Sequence, residues 1–139
     1  MSGVWERSVG VLTSRVVSGG AILPIQPDGP ASTRKNIIYA QKGVSMRVPE
    51  ASALIEAIMD GRVHRDYVTV GGQQYLLTTV MESAYYGRST SSSAGGGIVL
   101  VKTQRVLVLA TYTDPVMAAE AIPYVHEFTD SVMGTLGGM

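Results

Sequence analysis

The residue types that carry most enzyme chemistry are sparse in this chain of 139 residues. It contains no cysteine, which excludes disulfides, thiolate metal sites and a cysteine nucleophile. Its two histidines, His64 and His126, are too few for most histidine-built metal sites. Serine, histidine and aspartate all occur, but no serine stands in the context of a nucleophile elbow. We therefore predict that the protein is not an enzyme and binds no metal or cofactor.

Four aspartates and one run of glycines could be mistaken for functional motifs, but their sequence contexts explain them otherwise. Asp28, Asp60, Asp66 and Asp114 all occur in turn sequences, which accounts for these carboxylates. The glycines at 95–97 lead into β-branched residues, whereas a phosphate-binding loop opens a helix. Nucleotide binding is therefore not expected.

Charge and hydropathy narrow the class of protein further. Eleven basic and eleven acidic side chains give a formal net charge of zero, which argues against a nucleic-acid partner held through phosphates. A hydrophobic fraction of 45% with 16% charged residues fits one folded domain over residues 1–139. No apolar run reaches the roughly 20 residues of a membrane span, and the amino-terminal segment is unlike a secretory signal. We expect a cytoplasmic protein without membrane insertion.

The first half of the chain contains two helical and two strand patterns. An apolar stripe predicts a first helix, which the Gly-Gly pair at 19–20 is expected to end. Short apolar runs predict strands over 21–25 and 36–41. Pro49 at a first helical position predicts a short amphipathic helix that ends at Gly61. The stripe of the first helix consists of Trp5, Val9, Leu12 and Val16.

The second half is dominated by strand patterns and ends in a helical one. Runs at 67–70 and 73–80 flank a Gly-Gly pair, which indicates a hairpin. The serine- and glycine-rich stretch 89–97 predicts a flexible loop. Residues 115–139 predict a helix that either kinks at Pro123 or begins near it. Strands in series favour an antiparallel sheet with the terminal helices on one face. Further strand patterns lie at 84–86, 98–101 and 106–112.

Five strings resemble the profilin family and occur along the chain in the same order as in that family. The clearest are Gly-Gly-Gly-Ile-Val-Leu-Val-Lys-Thr at 95–103 and the strand leading into Asp-Pro-Val at 106–116. The others are Val-Gly-Gly-Gln at 70–73, Ile-Tyr-Ala-Gln at 38–41, and Trp5. The resemblance implies a profilin-like α+β fold, a central antiparallel β-sheet with the N- and C-terminal helices packed on one face and a short helix on the other.

Profilins bind monomeric actin on one surface and proline-rich proteins such as formins on another, and many bind phosphoinositides. The resemblance thus implies a monomeric, cytoplasmic regulator of actin polymerisation in the cytoskeleton. Without the resemblance, Arg88 is interpreted as a solvated strand end, Glu127 as a partner in a surface ion pair of little net gain, and His126 as an exposed helix residue. Matching the family's actin-binding surface to this chain gives Arg88, Lys102, Val116, Met117, Ile122, His126 and Glu127.

The same matching gives a polyproline site at Trp5, Tyr39 and Ser131, with Tyr124 as a substitute aromatic if the last helix is rotated at Pro123. Trp5 and Tyr39 match aromatics that pack on a polyproline helix, whereas Ser8 and Ser131 stand where the family has aromatics. Binding is expected to be weak or altered, about fivefold weaker for each lost aromatic. Two alternatives stay open: Trp5 anchors the first helix on the sheet, and Tyr39 is an ordinary strand residue.

A different class of function is also open, a longin- or roadblock-like domain that dimerises or scaffolds and does not bind actin. The Lys-Thr turn at 102–103 and the Asp-Pro-Val string at 114–116 favour the actin-binding interpretation. A small basic group gives weak support for binding acidic lipid headgroups, because its charges share no helical face. That group is Arg34, Lys35, Lys42 and Arg47.

Overall fold

The computed structural model describes residues 2–25, 38–59, 67–90 and 96–136, which form three helices and seven strands. The helices are α1 (Ser2–Leu12), α2 (Val48–Met59) and α3 (Ala118–Leu136). The strands are β1 (Gly19–Pro24), β2 (Ala40–Lys42), β3 (Tyr67–Val70), β4 (Gln73–Val80), β5 (Ala84–Ser89), β6 (Gly97–Lys102) and β7 (Val106–Tyr112).

The strands form one antiparallel sheet in the order β2-β1-β7-β6-β5-β4-β3. Strands β3 to β7 pair with their neighbours in sequence. β1 lies beside β7, with Ala21 opposite Leu109, so the two halves of the chain share one sheet. The antiparallel sheet predicted from the sequence is confirmed.

Alternate residues of the central strands pack against different helices. On one face, Leu100 of β6 lies in an apolar cluster with Ile55 of α2. On the other face, Val99 of β6 lies in a second cluster with Val9 of α1 and Val125 of α3. These five side chains are at most 3% exposed, and burial of each contributes about 1.5–3 kcal/mol. The predicted placement of the terminal helices on one face and the short helix on the other is confirmed.

The end of α1 differs from the prediction. The helix stops at Leu12, and Val16 has a φ of 68°, a left-handed conformation that interrupts a helix. Gly19 and Gly20 do not end the helix; they are the first residues of β1. A Cβ on Gly20 would lie 2.6 Å from Cδ2 of Leu12, so a larger residue there would displace the Leu12 side chain that α1 packs on the strand.

The last helix begins at Ala118 and continues through Pro123. Of the two predicted alternatives, a start near Pro123 is therefore wrong. Proline has no N–H to donate to the carbonyl of Ala119, but Ala119 is exposed, so water can satisfy that oxygen. Several residues named from the sequence lie outside the described ranges: Asp28, Arg34, Lys35, Asp60, Gly61, His64 and Asp66, with parts of the 36–41 strand and the 89–97 loop.

Glu50 joins the start of α2 to the turn between β3 and β4. Its Oε1 accepts hydrogen bonds from the amides of Gly71 at 3.0 Å and Arg47 at 3.3 Å. Its Oε2 accepts one from the amide of Gly72 at 3.0 Å. Gly71 and Gly72 have φ values of 59° and 80°, as a two-residue type I′ turn requires. The carboxylate thus fixes the predicted hairpin against the helix that covers it.

We expect Glu50→Gln to lower the free energy of unfolding by about 1–2 kcal/mol, because one acceptor oxygen becomes an NH2 group that faces an amide donor. Chemical denaturation measures this change. The matched control is Glu56→Gln on the same helix, an exposed side chain, which should stay within about 0.5 kcal/mol. Equal effects of both substitutions would show that the Glu50 contacts add no stability.

Candidate functional site

An aromatic stack on the α1 side of the sheet contains two of the residues assigned to polyproline binding. The ring centroids of Trp5 and Tyr39 lie 5.0 Å apart with an angle of 14° between the planes. The amide of Tyr39 donates to the carbonyl of Ile22 at 2.9 Å, which holds this segment beside β1. Both rings are half-buried and pack against the cluster under α1 and α3. The stack therefore anchors α1 and also presents aromatic area to solvent.

Tyr124, a third polyproline candidate, lies at the other end of α1. Its hydroxyl donates to the carbonyl of Leu12 at 2.7 Å and more weakly to that of Val11 at 3.3 Å. The Leu12 carbonyl is one of the acceptors that lack an intrahelical partner at a helix end. The guanidinium carbon of Arg15 lies 5.1 Å from the ring centroid. Trp5 is about 10 Å away along the helix axis. The structure thus does not bring Tyr124 to the stack, and its hydroxyl fastens α3 to the end of α1.

The fourth candidate, Ser131, is exposed on α3. The next residue, Val132, is half-buried and packs against the cluster under α1 and α3. Ser131 is thus on the solvent side of the last helix, and it supplies a hydroxyl where an aromatic ring would add area for a proline-rich ligand.

A second candidate surface lies where α3 meets β5. The hydroxyl of Tyr86 on β5 is 2.6 Å from Nε2 of His126 on α3. The two rings meet edge to face, with centroids 5.9 Å apart and an interplanar angle of 74°. Burial raises the pKa of Tyr86 above its usual value. This contact joins α3 to β5 at the edge of the part of the sheet that α3 covers.

The sheet is open beyond that boundary. Arg88 is two residues after Tyr86, so both side chains project from the same face. Arg88 pairs across the strands with Leu76, and Leu76 pairs with Tyr67 of the edge strand. Arg88 and Tyr67 are exposed and Leu76 is half-buried. Among the described residues, strands β3, β4 and β5 therefore present a face beside α3 that no helix covers.

The helix contributes the remaining side chains of this surface. Ile122 and His126 are one turn apart, so they share a side of α3, and both are half-buried. Met117, just before the helix, is 70% exposed. Glu127 is exposed and Val116 half-buried. We define the β5–α3 surface as Tyr86, Arg88, Val116, Met117, Ile122, His126 and Glu127.

Lys102 lies apart from the β5–α3 surface. It pairs with Leu107 across β6 and β7, and Leu107 belongs to the cluster under α2. Lys102 therefore projects toward the opposite face, where it lines a cavity of about 530 Å³ with Met59 and Arg105. Of the seven residues matched to the family's actin-binding surface, Lys102 is the one that strand register places on the α2 face of the sheet.

Sequence reasoning missed Tyr86. Continuing the predicted strand at 84–86 by two residues, as β5 does, would have placed Tyr86 and Arg88 on one face. No local pattern pairs Tyr86 with His126, which is 40 residues away in sequence.

The described ranges contain no group of three or more His, Asp or Glu side chains placed to hold a metal ion. In that same part of the chain, no helix is long and apolar enough to cross a membrane.

The molecule is an α+β protein with two candidate binding regions, the Trp5–Tyr39 stack and the β5–α3 surface. The chain belongs to the profilin family, whose family model matches residues 4–135. This membership sets aside the longin- or roadblock-like alternative. No curated protein matches the chain.

Solved profilin structures have the same fold. Profilin II of Acanthamoeba castellanii matches with a TM-score of 0.73 and 18% identity, over 94% of this chain and 98% of that one. LokiProfilin1 in a complex with rabbit actin matches with a TM-score of 0.71 and 14% identity, over 97% and 98%. LokiProfilin2, also with rabbit actin, matches with a TM-score of 0.70 and 11% identity, over 92% and 94%.

Tyr124→Phe should lower the free energy of unfolding by about 1 kcal/mol, because the carbonyls at the end of α1 lose a donor. Thermal or chemical denaturation measures the effect. Tyr39→Phe is the matched control, since that hydroxyl makes no hydrogen bond within the described residues, and it should leave stability nearly unchanged. A Tyr124→Phe protein as stable as the wild type would contradict the assigned contact.

Proposed function

We propose that this protein binds monomeric actin through the β5–α3 surface and so regulates actin polymerisation. The observation that carries the proposal is the uncovered face of β3 to β5 beside α3, on a fold shared with profilins solved in complex with rabbit actin. The covered faces of the sheet carry the core clusters.

The composition of this surface suits a protein partner. Met, Arg and aromatic residues are enriched at protein interfaces, and Met117, Arg88 and Tyr86 supply one of each. Met117 is unbranched and flexible, so it adapts its shape to the partner. Ile122 adds apolar area, while Arg88 and Glu127 place opposite charges on the surface. We expect apolar contacts to supply affinity and the charges to set orientation and association rate.

Isothermal titration calorimetry with monomeric actin tests the proposal. We expect one-to-one binding by the wild type, and a loss of about tenfold in affinity for Arg88→Glu or Glu127→Arg, since reversing a charge at an interface costs about 1.4 kcal/mol or more. Arg105→Glu is the matched control, because Arg105 lines the cavity on the opposite face.

Two results would contradict the assignment of this surface. One is the absence of wild-type binding at tens of micromolar actin. The other is an Arg105→Glu variant that loses as much affinity as Arg88→Glu, which would place the contact elsewhere or show a general charge effect.

We also propose weak binding of proline-rich segments, including those of formins, at the Trp5–Tyr39 stack. The stack offers flat aromatic area to a preformed polyproline helix. Ser8 and Ser131 add no rings to it, so the expected affinity is low.

Trp5 is the chain's one tryptophan, so its fluorescence reports directly on the stack. A proline decamer should change the Trp5 emission saturably, and Tyr39→Ala should weaken the response about fivefold through loss of one aromatic contact. A Gly-Ser peptide of equal length is the control. Identical titrations with both peptides would contradict polyproline binding.

We further propose that the protein acts as a cytoplasmic monomer without enzymatic activity. Phosphoinositide binding has little support in the described residues, where Lys42 and Arg47 are the exposed members of the predicted basic group.

A further inference from the structure

The chemistry of the two side chains decides which of them donates in the hydrogen bond between Tyr86 and His126. The hydroxyl oxygen and Nε2 are 2.6 Å apart, the short end of the range for a hydrogen bond. Burial raises the pKa of Tyr86 above its ordinary value, so the phenol keeps its proton at neutral pH. The phenol O–H is a stronger acid than the N–H of a neutral imidazole, and 2.6 Å is shorter than the usual N–H···O distance of about 2.7–3.2 Å, so the phenol donates and Nε2 accepts.

An imidazole that accepts at Nε2 must carry its proton on Nδ1. In the neutral ring one nitrogen donates and the other accepts, and the partner of one nitrogen selects the tautomer. Nδ1 of His126 makes no hydrogen bond within the described residues. The ring is half-buried on α3, at the edge of the open sheet, so its remaining donor is left for another molecule.

We propose that Tyr86 is a positioning residue that holds His126 in the Nδ1–H tautomer, so that the β5–α3 surface offers its partner a hydrogen-bond donor at this point. The partner group is an oxygen acceptor, a backbone carbonyl or a carboxylate. This inference rests on the proposed function, because it assigns a specific contact to the same surface.

Nitrogen-15 NMR of the ring nitrogens in the free, labelled protein tests the tautomer without any partner. Spectra are recorded at mildly alkaline pH, so that the tautomers of the neutral ring are compared. We expect a protonated Nδ1 and an unprotonated Nε2 in the wild type. The His126 signals are identified by their loss in His126→Asn, which separates them from those of His64.

Tyr86→Phe removes only the hydroxyl and should return His126 toward the Nε2–H form that a ring without a partner prefers. Tyr85→Phe is the matched control, since Tyr85 is the adjacent residue but packs in the cluster under α2, and it should leave the tautomer unchanged. A wild-type ring with its proton on Nε2, or a tautomer that Tyr86→Phe does not alter, would overturn the inference.

Actin affinity supplies a second readout. Tyr86→Phe should weaken binding about threefold to tenfold, the usual net effect of one hydrogen bond, and Tyr85→Phe should not. His126→Asn places an amide near the position of Nδ1 and should bind better than His126→Gln, whose amide reaches the position of Nε2. Wild-type affinity in Tyr86→Phe, despite a changed tautomer, would overturn the donor role.

These measurements separate the two proposals. If the wild type does not bind actin, the proposed function fails and the donor role fails with it. The NMR result still decides by itself whether Tyr86 selects the His126 tautomer.

Discussion

Strands β6 and β7 are buried on both faces, and the placement of the three helices follows from that burial. Every residue of β7 is buried, and so is every residue of β6 except the last. Strands of this kind need a covering layer on each side. The chain supplies α1 and α3 for one face and α2 for the other. The terminal helices share a face, and the hydroxyl of Tyr124 ties α3 to the carbonyl end of α1.

The same packing determines which part of the sheet stays open. In β4 only Tyr75 and Leu77 are buried, and the other six residues are half-buried or exposed, in contrast to the continuous burial of β7. The face of β3 to β5 on the α3 side therefore remains available for binding. The Tyr86–His126 contact marks where coverage by the helix ends and the proposed actin-binding surface begins.

Periodicity predicted most of the fold, because apolar runs and glycine turns are local signals. It failed at the end of α1, since Val16 continues the apolar stripe although the helix ends at Leu12. Val16 still packs against the core, so hydropathy alone does not reveal the break. The site was less predictable. The string that contains Lys102 and Thr103 did not indicate on which face of the sheet the Lys102 side chain lies, because that depends on the register between β6 and β7. The contact of Tyr86 with His126 depends on how α3 crosses the sheet.

The proposed docking site for actin is the open sheet beside α3. Hydrogen–deuterium exchange with and without saturating monomeric actin can locate the contact, because binding protects the backbone amides that it covers. We expect slower exchange in β4, β5 and the first half of α3, with α2 and the Trp5 end of α1 unchanged. Protection confined to α2, or no change anywhere under saturation, would contradict it.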